Sequence, residues 1–123
     1  MLLICLKNID RLKIDNDRIA AMAEGVRQVA QLADPIGKID AGWVNYAGLQ
    51  IEKKRVPLGV VGMIFEARPN VTVDASALCF KSGNAVILRG GKEALQTNIK
   101  ITKVIRQALE QEGINPDAVQ VIT

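Results

Sequence analysis

The sequence predicts an α/β fold: a parallel sheet of β-α-β-α-β order, preceded by a helix and a β-hairpin. Three observations carry this. Two short apolar, β-branched-rich runs, Val60-Val61-Gly62-Met63-Ile64-Phe65 and Ala85-Val86-Ile87-Leu88, have the composition of strands buried in a parallel sheet. A third such run, Ala118 to Ile122, follows Pro116-Asp117. Segments of helical period separate the three, which is the alternation expected of a parallel α/β sheet.

The elements follow in order. Residues 1–14 are apolar with scattered cations and show no clear period. Asp15 or Asn16 offers an N-cap. Ile19, Met22, Ala23, Val26, Val29, Ala30 and Ala33 then recur at helical spacing, so one face of that helix must pack on something. Asp34-Pro35 ends it, because the residue before proline resists the α region. Residues 36–54 contain three glycines and no helical period. Trp43 to Tyr46 and Leu49 to Glu52 flank Ala47-Gly48, and the alternation of Leu49 and Ile51 with Gln50 and Glu52 reads as a hairpin. A two-stranded ribbon is marginal alone in water, so this one calls for a partner surface.

Past Pro57 the pattern sharpens. The strand 60–65 empties into Glu66-Ala67-Arg68-Pro69-Asn70. A helix from about Val71 to Ser82 follows, with Gly83 as its C′ residue. The strand 84–88 leads into Arg89-Gly90-Gly91-Lys92. The next helix carries Ile101, Val104, Ile105, Ala108 and Leu109 on one face and stops at Gly113. The result is a partial Rossmann-like sheet. Residues 1–54 are expected to hold the first helix and a hairpin for oligomerisation, and 55–123 the first half of a cofactor-binding domain. Three strands leave two open edges, so a larger protein is expected around them.

Composition bounds the function. The 123 residues are 49% hydrophobic and 24% charged, which is globular composition. Aromatics are 3%, too few for base-stacking platforms, and a net charge of +3 spread among 13 acids forms no nucleic-acid stripe. There is no histidine, which excludes Ser-His-Asp and Cys-His catalysis and histidine metal sites within the chain. Cys5 and Cys79 alone make no zinc site, and nothing in the sequence suggests secretion. Met1 to Leu6 is too short an apolar run for a membrane span. A cytoplasmic protein without nucleic-acid or membrane partners is expected.

Ligands of open α/β sheets bind outside the carboxyl ends of the strands. The G-x-G-x-x-G fingerprint is absent, so a pyrophosphate cradled at the first helix N-terminus is not expected. Arg89 and Lys92 lie where dinucleotide folds meet the adenosine ribose. Basic residues there suit a 2′-phosphate, and Gly90-Gly91 let the backbone approach. The same residues also read as a polar turn with two solvated cations. Asn70 reads either as a donor to a developing oxyanion or as the cap of the following helix, with the cap better supported by the pattern. Arg68 reads as a bidentate phosphate or carboxylate ligand, or as an ion-pair partner of Glu66 or Asp74. Cys79, between Leu78 and Phe80 in a helix, reads as an inert apolar cysteine.

The strings Arg55-Val56-Pro57-Leu58-Gly59-Val60-Val61-Gly62, Glu66-Ala67-Arg68-Pro69-Asn70-Val71-Thr72-Val73-Asp74 and Lys81-Ser82-Gly83-Asn84-Ala85-Val86-Ile87-Leu88-Arg89-Gly90-Gly91-Lys92-Glu93 resemble the γ-glutamyl phosphate reductase (glutamate-5-semialdehyde dehydrogenase) family of the aldehyde dehydrogenase superfamily. The resemblance runs from about Arg18 to Thr123 and leaves the first fifteen or so residues unlike the family. It implies NADPH-dependent reduction of L-glutamyl 5-phosphate to glutamate 5-semialdehyde and phosphate, in proline biosynthesis. By the superfamily mechanism a cysteine thiolate attacks the acyl phosphate, phosphate leaves, and hydride reduces the thioester. The resemblance places Asn70 at the oxyanion-hole asparagine, Arg89 at a lysine near the adenosine ribose, and Lys92 at a glutamate of NAD-preferring relatives. The candidate cofactor-binding set for NADP(H) is therefore Phe65, Arg89, Gly90, Gly91 and Lys92, with Arg68 toward substrate and no metal. Neither Cys5 nor Cys79 stands at the family's nucleophile, so an inactive fragment of a homo-oligomeric enzyme is expected. The alternatives are a stand-alone NADP-binding module and a non-functional truncation.

Overall fold

The computed structural model describes residues 12–123. Cys5 and the apolar run Met1 to Leu6 lie outside the described residues. Helix α1 (Asn16–Gln31) is capped by Asp15, whose Oδ1 accepts from the Arg18 amide at 3.0 Å. That hydrogen bond holds the Asp15 carboxyl below the usual carboxylate range. The helix ends three residues before Asp34. Leu32 already has extended backbone, and Asp34 instead accepts from the Ile36 amide at 2.9 Å in a local turn.

Strands β1 (Ile39–Val44) and β2 (Gln50–Lys54) form an antiparallel hairpin in which Trp43 faces Ile51 and Val44 faces Gln50. Both strands begin and end elsewhere than the alternation suggests. Tyr46 is in the loop and fully exposed, because Asn45 Oδ1 captures the amides of Ala47 and Leu49, each at 2.9 Å, and Gly48 turns the chain at φ +80°.

Strands β3 (Val60–Ile64), β4 (Ala85–Arg89) and β5 (Val119–Val121) form a parallel sheet in the order β3-β4-β5. Helices α2 (Pro69–Lys81) and α3 (Leu95–Gln111) lie against one face of it. Period-2 alternation turns Val61, Met63, Val86, Leu88, Val119 and Val121 to that face, where Ala75 and Cys79 of α2 and Ile105 and Leu109 of α3 meet them. Among the described residues nothing covers the opposite face, where Val60 is 65% and Ile64 83% exposed.

Both helices end in a glycine-stabilised C-terminus. At Gly83 (φ +74°) its amide donates to Phe80 O at 2.9 Å and the Asn84 amide to Cys79 O at 2.8 Å. Gly113 repeats the pair onto Glu110 and Leu109 at 3.0 Å and 2.8 Å. Asn84 then accepts from the Gly59 amide at 2.9 Å, fixing the start of β4 beside the start of β3. Arg106 locks α3 to the 3-10 turn Pro116–Ala118: one guanidinium nitrogen donates to the Pro116 and Val119 carbonyls, the other to Asp117. That turn takes Ala118 and shortens the third strand.

The buried stripe of α3 differs from the expected face. It runs Asn98, Thr102, Ile105, Leu109, while Val104 is 65% exposed. Helix α1 lies along α2; its half-buried residues include Met22, Gly25 and Val29, while Ile19 and Val26 remain 51% and 40% exposed. No helix among the described residues is long and apolar enough to cross a membrane.

Candidate functional site

The carboxyl ends of β3 and β4 lie side by side. Ile64 pairs with Arg89, and the Phe65 amide donates to the Arg89 carbonyl at 3.0 Å. Arg89 is thus the last residue of the strand rather than the first of the turn. Lys92 opens the 3-10 turn Lys92–Ala94 that leads into α3. Both side chains are exposed, and neither makes an ion pair or hydrogen bond among the described residues.

Between them the two glycines are needed for space. Neither has a positive φ. A Cβ at Gly90 would collide with Asn98 Nδ2 and lie 3.1 Å and 3.2 Å from ring atoms of Phe65. A Cβ at Gly91 would lie 3.3 Å from the Ala67 amide nitrogen, so the loops after β3 and β4 touch there. The sequence therefore folds Phe65, Arg89, Gly90, Gly91 and Lys92 into one patch.

Arg68 and Asn70 stand on the next part of the same loop. Pro69 is the first residue of α2, as its fixed φ and missing N–H favour. Arg68 is consequently the N-cap, with no side-chain hydrogen bond, and Asn70 is the second helical residue. The capping role for Asn70 is overturned. Its exposed side chain makes no hydrogen bond among the described residues. Arg68 is exposed and pairs with neither Glu66 nor Asp74. Arg68 and Asn70 line a cavity of about 490 Å³ between the starts of α1 and α2, with Lys13, Arg18 and Asp74 also on its wall. An anion entering it would meet the cationic side chains of Lys13, Arg18 and Arg68 at the positive end of α2, with the Asp74 carboxylate opposing them.

Cys79 packs among Ala75, Val86 and Leu88, is 8% exposed, and burial pushes its thiol pKa up. A nucleophilic cysteine needs the reverse. Sequence reasoning missed one feature near the patch: four buried polar residues, Thr72, Ser76, Asn98 and Thr102. Their i, i+4 spacing on two successive helices was the available signal.

No family model matches the chain. Among curated proteins, the γ-glutamyl phosphate reductase of Ligilactobacillus salivarius (strain UCC118) is 99% identical over 117 residues, 95% of this chain and 28% of its own length. The chain is similar to γ-glutamyl phosphate reductases. The reductase of Lactiplantibacillus plantarum is 63% identical over 118 residues, 96% of this chain and 29% of its own length. Among solved structures, the γ-glutamyl phosphate reductase of Thermotoga maritima superposes with a TM-score of 0.86 at 43% identity, over 93% of this chain and 28% of that one. The Saccharomyces cerevisiae reductase gives 0.82 at 37% identity, over 96% and 30%. The chain thus spans about 28% of the length of its curated relative. The match takes in 117 of 123 residues, so the expectation that the first fifteen or so depart from the reductases does not hold.

Proposed function

We propose that the chain supplies the first half of the cofactor-binding domain of a γ-glutamyl phosphate reductase. The parent reaction would be NADPH-dependent reduction of L-glutamyl 5-phosphate to L-glutamate 5-semialdehyde and phosphate, in the cytoplasm, on the way to proline. In this reading residues 55–123 are the cofactor half-domain, and 1–54 provide α1 and a hairpin for homo-oligomerisation. The observation that carries the reading is the Arg89-Gly90-Gly91-Lys92 patch at the end of β4, with both cations exposed and unpaired among the described residues.

These residues fit NADP(H). Arg89 and Lys92 would hold the 2′-phosphate by charge-assisted hydrogen bonds. Gly90 and Gly91 let the turn sit tightly against Asn98, Phe65 and the loop after β3, so that its backbone can approach the cofactor. When bound, NADPH supplies the hydride. Arg68 would bind the substrate's phosphate or carboxylate at the mouth of the neighbouring cavity, and Asn70 would donate to the developing oxyanion. Cys79 does not fit the nucleophile, because it is buried and its thiol is held protonated. Turnover by this chain alone is therefore not expected.

The test is Lys92→Glu. It should lower NADP affinity about tenfold, the loss of about 1.4 kcal/mol, and leave NAD affinity unchanged. Equal losses for both cofactors would sink the 2′-phosphate assignment. Steady NADPH oxidation with glutamyl phosphate by the purified chain would show that it carries a nucleophile this reading does not recognise.

A further inference from the structure

The interface between α2 and α3 is polar where apolar contact is the rule. Thr72 and Ser76 stand one turn apart on α2, and Asn98 and Thr102 one turn apart on α3; none is more than 3% exposed. Thr72 Oγ1 donates to Asn98 Oδ1 at 2.9 Å, and Ser76 Oγ donates to the Thr72 carbonyl at 2.7 Å. Asn98 Nδ2 and Thr102 Oγ1 have no hydrogen-bond partner among the described residues. A buried donor left without a partner is costly, so one that persists asks for a reason.

For Asn98 the reason lies in its neighbour. Its side chain is 0% exposed, its oxygen is held by Thr72, and its amide nitrogen lies against Gly90 at the spot a Cβ would fill. The Phe65 ring crowds the same spot, 3.1 Å and 3.2 Å from that Cβ position, and at Gly91 the Ala67 amide closes in from the loop after β3. Any shift of Asn98 is therefore passed to the turn, and through the turn to the residues flanking it. An apolar residue of the same size would fill the space but lose the anchor on Thr72.

We infer that Asn98 is a positioning residue: anchored by Thr72, it sets the Gly90-Gly91 turn and thereby the placement of Arg89 and Lys92 that discriminates NADP from NAD. The discrimination rests on the cofactor reading above; the setting of the turn does not. A purely structural role would lower stability and weaken both cofactors alike. A positioning role changes their ratio.

The experiment is a double-mutant cycle of Gly90→Ala and Asn98→Ala, read in melting temperature and in NADP and NAD titrations. It is run in the 123-residue chain and at the equivalent positions of the Ligilactobacillus salivarius reductase. Gly90→Ala should lower NADP affinity more than NAD affinity. Adding Asn98→Ala removes the atom the new methyl strikes, so the double variant should recover about tenfold relative to additivity, a coupling of about 1.4 kcal/mol. Thr72→Val, nearly isosteric, should lower the NADP-to-NAD preference by about threefold, since it releases Asn98 without opening a cavity. Additive losses in melting temperature would overturn the setting of the turn. Coupled melting with equal losses of NADP and NAD, in Asn98→Ala and Thr72→Val alike, would overturn the discrimination. A reductase with no NADP preference would instead sink the cofactor reading, and the melting cycle would still decide whether Asn98 sets the turn. Should Asn98→Ala fail to fold, Thr72→Val supplies the ratio.

Discussion

Every residue of β1 is exposed and only Ile51 of β2 is half-buried, whereas β4 and β5 contribute Val86, Leu88 and Val119, each at most 1% exposed. The hairpin is held by its ladder, by the Asn45 loop and by an Arg55–Asp40 ion pair at 2.8 Å. The parallel sheet is held by burial. Strand pairing alone is marginal in water, so the two sheets should respond very differently to the same kind of damage. Hydrophobic stabilisation resides on the helix-covered face of β3-β4-β5. The hairpin and the open face of β3 leave much apolar surface uncovered within the described residues, with Trp43 52% and Ile64 83% exposed.

The largest expected effect separates the two sheets directly. Leu88→Ala removes a fully buried side chain from the central strand and should cost about 2–5 kcal/mol. Val44→Ala, at a position 67% exposed in the hairpin, should stay within about 0.5 kcal/mol. Urea unfolding followed by circular dichroism measures both. Comparable losses would break the comparison, because the hairpin would then be sharing the core's cooperativity.

The same contrast explains what was legible in the sequence. The apolar runs at 60–65 and 84–88 declared their strands because both period and flanking turns agreed, and Gly83 and Gly113 declared two helix ends because only glycine takes that conformation cheaply. Asn98 and Thr102 stayed hidden. Polar residues at a helical stripe read as the solvent side; packing against α2, with Thr72 bonded to Asn98, is what makes them core. Val104 falls on the apolar face by helical spacing, yet it is 65% exposed because Asn98 and Thr102 rotate the buried stripe away from it. Tyr46 looked like a strand residue because alternation says nothing about where Asn45 will seize the backbone. Asn70 looked like a cap, yet Pro69 was already present to place the helix start one residue earlier. The strand-end patch was legible from order alone; the contact of Gly90 with Asn98 was not.

Two glycines with nearly the same backbone sharpen the comparison at a smaller scale. Gly83 (φ +74°) has Ile36 Cδ1 and Pro57 Cγ at 2.7 Å and 2.9 Å from where a Cβ would sit, while Gly48 (φ +80°) in the hairpin has nothing within 4 Å. Alanine pays about 1–2 kcal/mol for the left-handed conformation at either site. Gly83→Ala must in addition displace Ile36 and Pro57, an overpacking cost of about 1 kcal/mol or more. Gly83→Ala should therefore lower the denaturation midpoint clearly further than Gly48→Ala. Equal shifts would mean that Ile36 and Pro57 yield freely, and that the linker flanking the hairpin is not braced against the turn between α2 and β4.

The smallest expected effect tests the hairpin's one described ion pair. The hydrogen bond from the Arg55 guanidinium holds the Asp40 carboxyl below the usual carboxylate range, and Asp40 in turn raises Arg55. A carboxyl depressed in the folded state contributes stability at neutral pH, and that contribution is lost as pH falls from the ordinary carboxylate range through the folded value. Arg55 stays charged throughout, so the whole pH response of the pair comes from Asp40. Both groups are solvent-exposed, so the contribution is small and screened by salt. Trp43 lies in the same strand as Asp40 and pairs across to β2. Its fluorescence should therefore report loosening of the hairpin as pH falls through and below the ordinary carboxylate range. Asp40→Asn should remove the part of that response due to the pair, and circular dichroism of the parallel sheet should stay unchanged over the upper half of that range. A parallel loss of both signals in the wild type would show that the two sheets melt as one unit in acid, and that burial on β4 supports the hairpin after all.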